Sequence, residues 1–182
     1  LNPRWANDMA VLGQVRYNNT RFEAFYIDPD EYPTIDTGTL LRGVNIERLG
    51  DSPMKFGFSF IDVHRSAYTW VAATGTPVPE LGTREGLKVL DARFAMTPLA
   101  REAQAFIVKG ELAHQWNDSN TFRQRAWGGY GELGYQFGAV TWRPTVTYRL
   151  AHFTGDDPST PTFERWDPLF AGGNGEEWVQ GF

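Results

Sequence analysis

The sequence predicts an all-β chain, and more narrowly an antiparallel up-and-down transmembrane β-barrel of which about eight strands are present. Three observations predict it. Apolar and polar residues alternate with period two along eight segments, the mark of strands with one apolar and one polar face. Several segments run about 9–11 residues, the span of a tilted transmembrane strand. Short and long connections alternate, as they do where tight turns lie at one end of a barrel and long loops at the other. A soluble β-sandwich with an aromatic core is the alternative reading of the same alternation.

The strands are expected near residues 9–17, 20–28, 39–48, 55–64, 87–96, 104–115, 126–137 and 140–153. Asn18-Asn19, Leu49 to Pro53, Thr97 to Ala103 and Gly138-Ala139 make the short connections. The segments 29–38, 65–86, 116–125 and 154–177 are longer and rich in Pro, Gly, Asp, Asn and Thr. On the apolar side fall Val11, Val15 and Tyr17, then Phe22, Ala24 and Tyr26, then Phe56, Phe58 and Phe60. Leu90, Ala92 and Phe94 continue it, followed by Phe106, Val108 and Leu112. Tyr17, Phe94, Tyr135, Phe137 and Trp142 gather at the short-turn end, where a membrane-interface girdle would lie.

The stretch from Trp127 to Leu150 contains a competing signal. Gly129, Gly131 and Gly134 fit G-x-G-x-x-G, the dinucleotide-binding fingerprint. That fingerprint needs a helix to open behind the glycines and hold the pyrophosphate at its N-terminus. The residues after Gly134 are instead aromatic and β-branched, so a hairpin replaces the cofactor loop. With Gly138-Ala139 as its turn, Phe137 pairs with Val140, Tyr135 with Trp142 and Leu133 with Pro144. This register places Pro144 inside a strand, where it lacks a ladder donor and calls for a bulge.

Composition bounds the function. The chain has 182 residues, which suggests one domain over 1–182 and no separate second one. Its formal net charge of -5, without a basic run, argues against nucleic acid as a partner. No apolar run is long enough for a transmembrane helix. The absence of cysteine is compatible with passage through an oxidising compartment but does not require it. No signal peptide is visible and the first residue is Leu1, so the sequence is expected to be a mature chain or part of a longer one.

The polar side of the strands carries the candidate chemistry. By parity it holds Arg16, Arg21, Lys55, Arg93, Lys109, Arg143 and Arg149 against Glu23, Glu47, Asp91, Glu111 and Glu132. Seven basic groups to five acidic ones, in an acidic chain, point to an arginine-lined lumen of the kind that conducts anions. The alternative is that these charges satisfy one another across strands, as Glu132 with Arg143 and Asp91 with Arg93 would.

Several phrases carry a family resemblance: KGELAHQWND (109–118), AWGGYGELGYQF (126–137), WRPTVTYRLAHFTGDDPSTP (142–161), FERWDPLFAGG (163–173) and WVQGF (178–182). They resemble the alginate-export family of bacterial outer-membrane β-barrel porins, most strongly over about 87–182. The resemblance implies a monomeric barrel of about eighteen strands in the outer membrane, so that this chain would be a segment of a larger barrel. It also implies an electropositive constriction passing an anionic polysaccharide such as polymannuronate. Arg149, Arg143, Arg93 and Lys109 match strands of that pattern, and Arg16, Glu111 and Glu132 complete the set of lumen candidates.

Other chemistry is sparse. His64, His114 and His152 stand singly, and no G-x-S-x-G occurs, so no catalytic residue is expected and the chain is not read as an enzyme. No cofactor is expected, except that Asp156, Asp157 and Asp167 could hold a calcium ion through oxygen ligands. An Asp-Asp-Pro-Ser segment is more commonly a plain turn. The expected partners are a lipid bilayer and an anionic polysaccharide or small anions. Two further functions share the fold: a general diffusion porin, and a non-conducting barrel that binds partners through the loops 65–86 and 154–177.

Overall fold

The computed structural model describes residues 7–29, 37–48, 53–71, 81–96, 105–118, 123–138 and 141–169. Among them there is no helix, and the strands form an antiparallel up-and-down sheet. In chain order the strands are β1 (Asn7–Tyr17), β2 (Thr20–Pro29), β3 (Leu40–Arg48), β4 (Met54–Arg65), β5 (Thr69–Val71), β6 (Leu81–Thr83), β7 (Lys88–Met96), β8 (Ala105–Asn117), β9 (Arg123–Gln136), β10 (Thr145–Phe153) and β11 (Thr162–Phe163). The main sheet runs β1-β2-β3-β4-β7-β8-β9-β10. It is not closed among the described residues, since β1 and β10 end the path. β5 and β6 form a separate hairpin within the long connection 66–87, and β11 adds a short parallel contact to the beginning of β9.

Register follows from the alternation. Phe22 stands beside Ile46, Ile46 beside Phe58, Phe58 beside Ala92 and Ala92 beside Leu112. One apolar row therefore crosses five strands, because an even register keeps every member on one face. The opposite face repeats the pattern with charges: Arg21, Glu47, Gly57, Arg93, Glu111 and Tyr130 form one continuous row from β2 to β9.

The last hairpin differs from the expectation. Leu133 pairs with Tyr148 and Glu132 with Arg149, four residues beyond the partners that a Gly138-Ala139 turn would give. The slip is even, so the apolar sides still coincide. Pro144 explains it. Without an N–H it does not continue the ladder, and it ends the connection by accepting a bond from the Phe137 N–H at 3.0 Å. The strand expected from residue 140 thus begins at Thr145, Pro144 needs no bulge, and Arg143 sits in the turn with φ 42°. Gly129, Gly131 and Gly134 all lie inside β9, which runs unbroken from Arg123 to Gln136.

Candidate functional site: the charged face of the sheet

The two faces differ in burial, in the opposite sense to a water-soluble sheet. On the apolar face Phe58 is 55% exposed, Leu150 65% and Tyr148 72%. On the charged face Glu47 is 6% exposed, Asp91 7% and Glu132 8%. Long polar side chains of neighbouring strands meet over the charged face and crowd it.

The apolar face also has defined edges. At the long-loop end a cross-strand row changes to charge: Arg42 beside Asp62, Asp62 beside Lys88, Lys88 beside Trp116 and Trp116 beside Arg125. Arg42 and Asp62 pair at 2.8 Å. Just inside this row His114 stacks on Trp127 at 4.2 Å between centroids and on Trp116 at 5.5 Å. At the short-turn end Phe106 packs on Tyr135 at 5.1 Å, and Tyr135 meets Phe137 edge-on at 4.9 Å. Along β8 the two aromatic groups run from Phe106 to Trp116, about 33 Å of strand at ~3.3 Å per residue. A strand of that length, tilted by ~40° as strands of outer-membrane barrels are, spans about 25 Å, the height of their apolar belt.

The charged face holds two networks. In the first, Arg93 of β7 reaches over Gly57 of β4 to β3. It donates to Glu47 at 2.7 Å, to Asn45 Oδ1 at 2.5 Å, to Ser59 Oγ at 2.8 Å and to Asp91. Glu47 also accepts from Arg21, which pairs with Glu23 at 3.3 Å. Asn45 Nδ2 donates to Glu23 at 2.6 Å and accepts at Oδ1 from Ser59 at 3.0 Å. Gly57 permits the crossing, since a Cβ there would lie 2.8 Å from Arg93 Nε. Glu111 faces Arg93 across the ladder and lies close enough to Asp91 for the carboxylates to interact.

In the second network, near the short-turn end, one acid serves two cations. Glu132 accepts from Arg149 at 2.6 and 2.9 Å and pairs with Lys109 at 3.4 Å. The guanidinium of Arg149 also lies over the Tyr130 ring, 4.7 Å from its centroid. The Arg149 side chain remains 42% exposed, so it can still meet a solute.

Arg93, Lys109, Glu111, Glu132 and Arg149 thus share one face, and Arg16 stands on the same face on edge strand β1, cross-strand from Arg21. Arg143 does not join them, being exposed in the β9–β10 turn. Its expected pairing with Glu132 is replaced by Arg149, whereas the expected Asp91–Arg93 pair is present. Removing Arg143 leaves six bases, Arg16, Arg21, Lys55, Arg93, Lys109 and Arg149, against five acids on this face. These charges are nearly balanced. Asn45 and Ser59 went unread in the sequence because they are uncharged, although their parity matches that of Glu47.

The three aspartates considered for calcium are engaged separately. Asp156 Oδ1 accepts from the Glu164 N–H at 3.1 Å. Asp157 closes a turn by accepting from the Ser159 N–H and hydroxyl at 2.9 and 2.7 Å. Asp167 is buried against Arg84, with two bonds of 2.9 Å. Among the described residues no group of three or more His, Asp or Glu side chains is placed to hold a metal ion. Part of the loop 154–177, the connection from Thr97 to Ala103, Ala139 and the segment Trp178 to Phe182 lie outside the described residues.

Comparison with protein-family models, with curated proteins and with solved structures finds no match for this chain.

Proposed function

We propose that this chain forms wall strands of an outer-membrane β-barrel channel, with the apolar face toward lipid and the charged face lining an aqueous lumen. The inverted burial of the two faces carries this reading. In water, an apolar surface spread across eight strands would exceed what soluble monomers expose and would drive association. In a bilayer the same surface is solvated by acyl chains, and the aromatic groups sit at the two interfaces. The edges of β1 and β10, which end the sheet among the described residues, fit this reading, because they would be satisfied where further strands close the barrel.

The substrate proposed is an anionic saccharide or oligosaccharide, moving passively. Its contact point is the Lys109–Glu132–Arg149 group, where two cations share one acid and Arg149 stays accessible. The near balance of charge along the rest of the wall favours a second reading, a general diffusion porin with weak selectivity. Conductance in a planar bilayer under a salt gradient, before and after addition of uronate oligomers, separates the two. Anion-selective current blocked by the oligomer supports the saccharide channel. Weakly selective current that the oligomer leaves unchanged supports the general porin. Folded, inserted protein without current overturns both.

A further inference from the structure

The charged face does not stay charged along its whole height. At the long-loop end its rows turn apolar, with Ile27 beside Leu41 and Leu41 beside Val63. Leu87 continues the row, its backbone carbonyl accepting from the Val63 N–H at 2.8 Å. Leu41, Val63 and Leu87 are buried. Such a patch inside an aqueous lumen is unfavourable unless something covers it. Leu169 does, packing against this cluster from a segment that leaves β10 and folds back over the sheet.

That segment, residues 154–169, is fastened to the wall along its length. Phe163 pairs with Gln124 at the start of β9 and is buried. The Trp166 ring packs on Phe153 at 5.7 Å and covers Gly128, where a Cβ would approach the indole to 3.0 Å. Gln115, on the charged-face side of β8, donates to the Asp167 carbonyl at 2.6 Å and accepts from the Asp167 N–H at 2.9 Å. The Asp167 carboxylate takes both bonds from Arg84, and Tyr68 lies 4.0 Å from that guanidinium. Phe153, Gly128, Gln115 and Leu87 all share the parity of the charged face.

We infer that residues 154–169 form an inward-folded strap that narrows the channel at its long-loop end, latched by the Arg84–Asp167 ion pair. The inference rests on the channel reading above and adds where the size limit is set: at the strap rather than at the arginine wall. Small anions and short oligosaccharides pass beside it, and a polymer passes only when the strap is released. The latch is suited to that task because removing the Asp167 charge leaves Arg84 buried and uncompensated, and the hydration it then requires separates the two segments.

The test uses full-length protein in lipid bilayers, with folding checked by the mobility shift of unheated samples on denaturing gels. Asp167→Asn breaks the latch. Leu169→Gln keeps the ion pair and weakens only the apolar seat, so it serves if Asp167→Asn does not fold. Either variant is expected to raise single-channel conductance severalfold and to admit larger neutral sugars in vesicle swelling. With any cysteine elsewhere in the full-length protein replaced by serine, Leu87→Cys provides a second readout independent of current, since this chain has none of its own. Leu87→Cys alone should resist a bulky maleimide added from the loop side and react once Asp167→Asn or Leu169→Gln is present. Folded variants with unchanged conductance and unchanged labelling overturn the strap. A silent parent whose Leu87→Cys label appears only on release retains the strap as a complete plug and removes the channel reading instead.

Discussion

Arg93 and Glu47 meet at 2.7 Å although they stand on β7 and β3, with β4 between them. The guanidinium lies over Gly57, the one position in that row of β4 where a side chain would obstruct it. The Arg93 network ties three strands together on the charged face. Gly57→Ala is therefore expected to displace Arg93 and loosen its bonds to Glu47, Asn45 and Ser59, costing ~2 kcal/mol. Gly131, whose added Cβ would meet nothing within 4 Å, is the control. Gly131→Ala should stay within about 0.5 kcal/mol of the parent. Urea titration of the protein folded in lipid vesicles, followed by tryptophan fluorescence, measures both, and equal effects would count against the role given to Gly57.

The membrane reading predicts a depth-dependent cost on the apolar face. Leu112 lies in the middle of the band on β8 and Phe106 at its short-turn edge. Leu112→Arg should destabilise by ~2–4 kcal/mol and Phe106→Arg by only ~0–1 kcal/mol. Were this face in water, both substitutions at such exposed positions would fall within about 0.5 kcal/mol. The same unfolding titration decides, and two small values would remove the bilayer from the account.

How far the sequence was legible depended on the range of the interactions. Period-two alternation found the eight strands of the main sheet and the face of Arg93, Lys109, Glu111, Glu132 and Arg149, because parity is a local property of the chain. It misplaced Arg143, since a slip of the hairpin by an even number preserves every parity and only the turn geometry reveals it. The Arg84–Asp167 pair left no trace at all. Its members are 83 positions apart, both lie outside the main strands, and what joins them is the packing of the 154–169 segment onto the sheet. Asp167 read as an acidic loop residue because nothing near it in sequence announces a buried cation.

The Asp157 turn gives a pH prediction outside the sheet. The Ser159 hydroxyl and then its backbone N–H bond the Asp157 carboxylate and hold its pKa below the ordinary aspartate range. A depressed folded pKa contributes stability above the unfolded value, and that contribution is lost as pH falls through the lower, folded value. The turn should therefore persist at acidities where free aspartate is already protonated. Carbon-13 NMR titration of the Asp157 carboxyl should give a midpoint below that of a denatured control, and Ser159→Ala should move it back upward. A midpoint that Ser159→Ala leaves in place would dismiss the hydroxyl as the cause.

The proposed channel makes its sharpest prediction at the Lys109–Glu132–Arg149 group. Two cations and one anion give it a local charge of +1, and Glu132 is the residue that holds that value down. Glu132→Gln raises it to +2, and Arg149→Gln lowers it to zero. A unit charge about 7 Å from a passing ion is worth ~0.6 kcal/mol in water, roughly a factor of 2–3 in partitioning. Reversal potentials under a salt gradient should then show anion preference rising by about that factor in Glu132→Gln and falling as much in Arg149→Gln, with both effects shrinking at high salt. Arg143→Gln should leave selectivity close to that of the parent, because its side chain is exposed in the turn rather than set in the wall. If Arg143→Gln shifts the reversal potential as strongly as Arg149→Gln does, the passing ions sense the short-turn mouth more than the wall. The contact point would then move from Arg149 to the turn.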